Sequence, residues 1–225
     1  MCGRFSQTFS ERDLLEYFHL ARCLSLEPRY NIAPSMEVAA LREEEGERRL
    51  VFLHWGLIPF WARDGKIGYR TLNARSETAH KTASFRAAFR SRRCLIPANG
   101  FYEWDKKGGT RQPWFIHRVD GRPLALAGLW ERWQDPEGER VIESCTILTV
   151  SAAEPVARLH DRMPVILEPE GFDCWLDPAG QEVETLRGML KPVATGVLSL
   201  YPVSPYVNKA GNEGAECIEP VDNEP

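Results

Sequence analysis

Behind Ser10, whose side chain can cap a helix start with Asp13 three residues on, Leu14, Leu15 and Phe18 recur at helical spacing, so a helix is predicted from Ser10 to about Leu20. Met36 to Leu41 and Arg49 to Trp55 are apolar, β-rich runs around a charged Glu43 to Glu47 turn that contains Gly46, which is the pattern of a hairpin. Phe85 and Phe89 stand four apart among Arg86, Arg90 and Arg93, predicting a short helix with an aromatic inner face and a basic outer one. From Cys94 the pattern becomes strand and turn: Leu95 to Trp104, a Lys106 to Gly109 turn, Trp114 to Val119, an Asp120-Gly121 turn, then Leu124 to Trp133. Val141 to Val150 and Val197 to Val203 read as further strands, with helices over Glu170 to Leu176 and Glu182 to Leu190. Strand runs with interspersed helices and no regular βαβ alternation give an α+β fold of mainly antiparallel, curved, barrel-like sheets with flanking helices. No repeat or linker divides the chain, so residues 1–220 are expected to form one domain and 221–225 a short tail.

Composition narrows the class. At 43% apolar and 27% charged, the 225 residues exclude disordered, collagen-like and coiled-coil chains. The longest near-apolar stretch, Pro123 to Trp130, falls far short of the ~20 residues that span a bilayer. The N-terminus also lacks a signal-peptide pattern, so a cytoplasmic protein with no membrane partner is expected. Six scattered cysteines form no C-x-x-C pair and the five histidines no H-x-H or H-E-x-x-H, so neither a metal nor a cofactor is expected. Residues 1–100 carry 16 Lys/Arg against 11 Asp/Glu, whereas the remainder carries 12 against 21. Nine basic residues between Arg63 and Arg93 face only Asp64 and Glu77, which is either an anion-binding surface or a solvated helix face. Without heptads or an evident apolar patch, a monomer is expected.

Candidate chemistry begins at Met1-Cys2-Gly3-Arg4-Phe5. Once Met1 is removed, Cys2 presents an α-amine and a thiol on adjacent carbons, a pair that condenses with an aldehyde to an imine and closes to a five-membered thiazolidine. In Leu72-Asn73-Ala74-Arg75, an extended backbone brings Asn73 and Arg75 out on one face, where the first could orient an amine and the second hold a phosphate. Glu103, embedded in Phe101-Tyr102-Glu103-Trp104, is expected to have its pKa raised by desolvation toward the range useful for proton transfer; the alternative is a strand-end carboxylate paired with a base. His160, in Leu159-His160-Asp161-Arg162, is either an acid/base or a structural histidine.

Seven ordered motifs then carry a resemblance along nearly the whole chain: MCGRF at 1–5, RYNIAP at 29–34, HWGLIPFW at 54–61, LNARSET at 72–78, CLIPANGFYEW at 94–104, LHDRMPVIL at 159–167 and NEGAECIEP at 212–220. Together they resemble the SOS-response-associated peptidase family, also described as abasic-site processing proteins. The resemblance implies an enzyme that binds single-stranded DNA at abasic sites and makes a thiazolidine crosslink from Cys2 to the ring-opened sugar, by lyase-type Schiff-base chemistry. It implies that Asn73 holds the amine, Glu103 assists imine formation and His160 protonates the sugar oxygen. Arg4, Arg75 and Arg162 would bind backbone phosphates, and Pro34, Phe60 and Trp61 would contact or wedge the neighbouring bases. For Phe60 in particular, core packing is the competing assignment. Two other functions use the same residues: a cysteine peptidase with Cys2 as nucleophile and His160 as base, and a non-catalytic single-strand DNA binder that needs no aminothiol. Met1 would be removed either autocatalytically or by an aminopeptidase, and the protein would join the nucleoid when bound to damage.

Overall fold

The computed structural model describes residues 2–22, 26–105, 111–179 and 181–221. In chain order its elements are β1 (Phe5–Gln7), α1 (Glu11–Tyr17), β2 (Arg29–Ile32), β3 (Glu37–Glu44), β4 (Glu47–Trp55), β5 (Asn73–Arg75), α2 (Ser76–Ala79), α3 (Arg86–Ser91), β6 (Arg93–Ala98), β7 (Gly100–Asp105), β8 (Gln112–Arg118) and β9 (Leu124–Gln134). There follow β10 (Val141–Ser151), β11 (Arg162–Pro164), β12 (Ile166–Leu167), α4 (Phe172–Leu176), α5 (Val183–Met189) and β13 (Leu198–Pro202). The expected α+β class with mainly antiparallel sheets is what these elements build. The strands sort into two sheets. One is five-stranded, in the order β13-β8-β7-β1-β2; in the other, β10-β4-β3-β6-β9 closes on itself because β9 also pairs with β10. All pairings are antiparallel except those of β10 with β4 and β5.

Local chemistry explains most of these elements. Ser10 and Asp13 form a reciprocal capping box at the start of α1, and the helix stops at Tyr17 because His19 turns into the left-handed region (φ 53°). The β3–β4 hairpin is tighter than the expected Glu43 to Glu47 turn. Only Glu45 and Gly46 lie between the strands, both at positive φ (54° and 82°), the primed-turn geometry that matches strand twist.

Two expectations are corrected. The run Leu95 to Trp104 is not one strand: it breaks at Asn99, where the chain passes from the closed ring into the five-stranded sheet. Asn99 accounts for the break by bonding β1 on both sides, its N–H to the Ser6 carbonyl (3.0 Å) and its Oδ1 to the Thr8 N–H (2.6 Å). Arg93 is not on the basic outer face. It is 1% exposed and donates to the carbonyls of Phe89, Arg90, Trp175 and Asp177, capping the ends of α3 and α4. The expected Lys106 to Gly109 turn lies outside the described residues. Among those described, no helix is long and apolar enough to cross a membrane.

The ring interior is packed with Val38, Ala40, Leu53, Cys94, Ile96, Cys145 and Ile147, all fully buried and on one face by their strand registers. Onto this body the N-terminal strand is fastened by one polar side chain. Buried Gln7 donates to the carbonyls of Ala39 and Pro97 and accepts from the Ala39 N–H, so β1 is tied to β3 and β6 at once. A buried amide satisfied on both ends specifies position as well as stability.

Candidate active site around Cys2

Phe5 is fully buried and meets Trp55 edge-on at 5.0 Å, while the Trp55 indole N–H donates to the Leu72 carbonyl (3.0 Å). One tryptophan thereby couples the segment that follows Cys2 to the segment that precedes Asn73. The coupling is completed directly, because Asn73 Nδ2 donates to the Cys2 carbonyl at 2.9 Å. On the other side of the chain, the Tyr102 N–H donates to the Arg4 carbonyl (3.0 Å) and Phe5 pairs with Phe101, which brings Glu103 to the same place. Cys2 itself is fully buried, its thiol 3.9 Å from the Arg4 carbonyl.

In front of Cys2 lies a cleft of about 510 Å³ lined by Gly3, Arg4, Pro34, Glu103, Trp104, Arg111, His160 and Asn208. Pro34 reaches it from a turn in which the Met36 N–H bonds the Ala33 carbonyl and Ser35 takes φ 69°, the type II pattern with proline second. Glu103 is 5% exposed. Burial pushes the Cys2 thiol well above its usual range, and the neighbouring Glu103 charge pushes it further. His160 follows a short 3-10 turn over Val156–Arg158, and its Nδ1 accepts from the Arg162 backbone N–H at 2.9 Å. Asp161 Oδ1 also stands 2.7 Å from the same nitrogen, but the two contacts require opposite roles of Nδ1. The backbone contact needs a lone pair on Nδ1, whereas the Asp161 contact needs a proton there.

The arginines differ. Arg4 lines the cleft, yet its NH1 donates inward to Asn31 Oδ1 (2.7 Å) and the Val207 carbonyl (2.8 Å). Arg162 is held by both oxygens of Glu77 at 2.7 and 2.9 Å and by the Thr149 carbonyl, and the pairing keeps the Glu77 carboxyl below its usual pKa. Arg75 is exposed, two residues beyond Asn73 on β5, and makes no ion pair among the described residues. Phe60 and Trp61 are 58% and 49% exposed, so core packing is not their role. They line a separate groove rather than the Cys2 cleft.

Sequence reasoning missed Asn31, which is fully buried and donates to the carbonyls of Val207, Lys209 and Asn212 while accepting from Arg4. The signal was an amide inside the otherwise apolar Tyr30-Asn31-Ile32 strand. It also missed Trp104 and Asn208, which bond each other through the indole N–H (2.6 Å) at the cleft rim. Among the described residues no cluster of three metal-ligating side chains occurs.

A family model described as SOS response associated peptidase (SRAP) matches residues 1–210. The chain is 40% identical over 223 residues to the abasic site processing protein YoqW of Bacillus subtilis, covering 97% of this chain and 99% of that one. It is 33% identical to the abasic site processing protein YedK of Escherichia coli, covering 98% and 100%. A crystal structure from Bordetella bronchiseptica superposes with a TM-score of 0.78 at 31% identity, covering 90% of this chain and all of that one. One from Bacteroides thetaiotaomicron reaches 0.85 over 98% and 100%, at 24% identity, and so speaks for the fold alone.

Proposed function

The chain belongs to the SOS response associated peptidase family, and from that membership we propose that it processes abasic sites in DNA by joining Cys2 covalently to the lesion. The observation that carries this reading is the seat of Cys2, buried behind a cleft, tied by its carbonyl to Asn73 and set beside Glu103. In this reading removal of Met1 frees the α-amine. Its lone pair attacks the C1′ aldehyde of the ring-opened sugar, and loss of water from the carbinolamine gives an imine. The thiol sulfur then adds to the imine carbon, its proton leaving as the imine nitrogen gains one, and a thiazolidine closes without any oxidant or reductant.

The electrostatics order these steps. A thiol pushed up by burial is not a ready thiolate, so the amine attacks first and the sulfur needs a base at ring closure. Glu103 is that base, and earlier the acid for the departing hydroxyl. His160, which lines the cleft, serves ring opening of the sugar. Asn73 Oδ1 is buried and has no hydrogen-bond partner among the described residues, which suits it to accept from the freed amine. The raised thiol pKa also counts against a cysteine peptidase, whose nucleophile must be a thiolate. A flipped or unpaired nucleotide is required to reach C1′, and a single strand offers it without the few kcal/mol of unstacking, so single-stranded DNA is the favoured partner.

The test is a denaturing gel of the protein incubated with abasic and intact oligonucleotides. A heat-stable adduct is expected on the abasic strand alone, and none when an uncleavable tag precedes Cys2. An adduct of equal yield with the tagged protein would remove Cys2 from the chemistry.

A further inference from the structure

Asn31 lies on β2, the edge strand of the five-stranded sheet, where its buried amide is used at both ends. Its Oδ1 accepts from Arg4 Nη1 at 2.7 Å, while Nδ2 donates to the carbonyls of Val207 (3.1 Å), Lys209 (3.0 Å) and Asn212 (2.9 Å). The Val207 carbonyl also accepts from Arg4 Nη1 at 2.8 Å, so the guanidinium, the amide and the chain at 207 close one ring of hydrogen bonds. The segment held in this way brings Asn208 to the cleft rim, and Glu213 fastens it further along by accepting from the Tyr30 N–H at 2.7 Å. Only an amide serves both ends: an aspartate has no donor for the three carbonyls, and an apolar residue offers nothing to Arg4.

Charge distinguishes Arg4 from the other buried or part-buried arginines. Arg42, Arg92, Arg118 and Arg162 are each held by a carboxylate. Arg4, part-buried in the cleft wall, has only neutral hydrogen-bond acceptors among the described residues: Asn31 Oδ1 and the carbonyls of Val207 and Asn208. These use Nη1 and one hydrogen of Nη2, so Nε–H and the second Nη2 hydrogen have no acceptor among those residues. Desolvation without a counter-charge pushes the Arg4 pKa below its ordinary value, a cost that an anion entering the cleft would remove. We infer that Asn31 is a positioning residue for the capture of DNA: it fixes the Arg4 guanidinium through a neutral partner, so the side chain is ordered before the strand arrives and keeps its full charge for a phosphate. The inference rests on the reading above, in which Arg4 meets the backbone of the abasic strand, and adds to it a fully buried residue that cannot itself touch DNA. A carboxylate at position 31 would hold the arginine equally well and cancel it, whereas the amide orders it in advance and leaves the charge-assisted bond to the ligand.

The experiment measures reversible binding of Cys2→Ala protein to an abasic single-stranded oligonucleotide as a function of salt, with urea unfolding of every variant in parallel. Arg4→Ala should flatten the slope of log Kd against log salt by ~0.7, one phosphate contact on a single strand. Asn31→Asp should flatten it by nearly as much although Arg4 is still present. Asn31→Ala keeps the charge and loses the aim: it should weaken binding ~10-fold with Arg4 in place, but no more than about twofold in an Arg4→Ala background, the scatter of such double-mutant cycles. An asparagine that only supports the fold would shift the urea midpoint and weaken binding by the same factor with and without Arg4, which overturns the inference. A parent-like salt slope in Asn31→Asp, or in Arg4→Ala, overturns it too; should the aspartate variant not fold, the alanine cycle decides alone. Failure of the underlying reading looks different, because the parent protein with Cys2 intact would then form no adduct with any abasic oligonucleotide.

Discussion

Replacing Asn73 by alanine should slow adduct formation without abolishing DNA binding. Its Nδ2 donates to the Cys2 carbonyl at 2.9 Å in a part-buried setting, and deletion leaves that carbonyl without this donor. An intramolecular hydrogen bond contributes about 0.5–1.5 kcal/mol net, but a stranded buried acceptor raises the cost to about 1–3 kcal/mol. At about 1.4 kcal/mol per factor of ten, the fraction of molecules with Cys2 in its reactive pose should fall about 5- to 150-fold. Asn73→Asp keeps the shape, loses the donor and sets a carboxylate oxygen against a carbonyl oxygen, so it should be slower still. The assay is a single-turnover time course at saturating abasic oligonucleotide, resolved on a denaturing gel, with thermal unfolding recorded in parallel to exclude a misfolded fraction. If the folded alanine variant reacted within twofold of the parent, Asn73 would not be positioning Cys2.

Glu103→Gln preserves volume but cannot take the thiol proton, so the single-turnover rate should drop about 10²–10⁴-fold while affinity for Cys2-blocked complexes holds or improves; equal losses in rate and affinity would make Glu103 a structural residue. The pH profile follows from the thiol: its pKa in the folded protein is raised, so it stays protonated across the working range and contributes no inflection. The rate should therefore climb only until the α-amine is free, at about pH 8, and a rate still rising well above that would mean that thiolate attack leads. Gly100→Ala would place a Cβ 2.3 Å from Phe115 Cζ and 2.5 Å from the Ile116 carbonyl oxygen, where Ser6 of β1 pairs with residue 100. Urea unfolding should show a loss of about 1–3 kcal/mol or more, and an unchanged midpoint would mean that the β7–β8 contact is looser than described.

The elements that could be read from the chain were those whose signal is local. The α1 capping box, the β3–β4 hairpin and the aromatic face of α3 each rest on residues a few positions apart. The short strands β1 and β2 escaped because three or four residues carry no period; they exist through partners far along the chain, such as Gln7 with Ala39 and Pro97. The same difference holds for the site. Cys2 announced itself by its chemistry, and Asn73 and Arg75 by alternation along a strand. Asn31 left only one local trace, an amide between Tyr30 and Ile32, because its four bonds run to Arg4 and to residues 207–212. Arg93 misled for the converse reason, since a helical spacing with its neighbours could not reveal the four carbonyls that bury it.

The central claim, that both the amine and the thiol of Cys2 end on the lesion carbon, is tested most directly by mass spectrometry of the N-terminal peptide after reaction with abasic single-stranded DNA, with no reductant and with a thiol-alkylating reagent added last. The account predicts a peptide that begins at Cys2, carries the sugar remnant with loss of one water, and resists alkylation at that cysteine, whereas Cys2→Ala yields an adduct only when borohydride is present. An adduct that retains Met1, or one whose Cys2 thiol still alkylates, would contradict it.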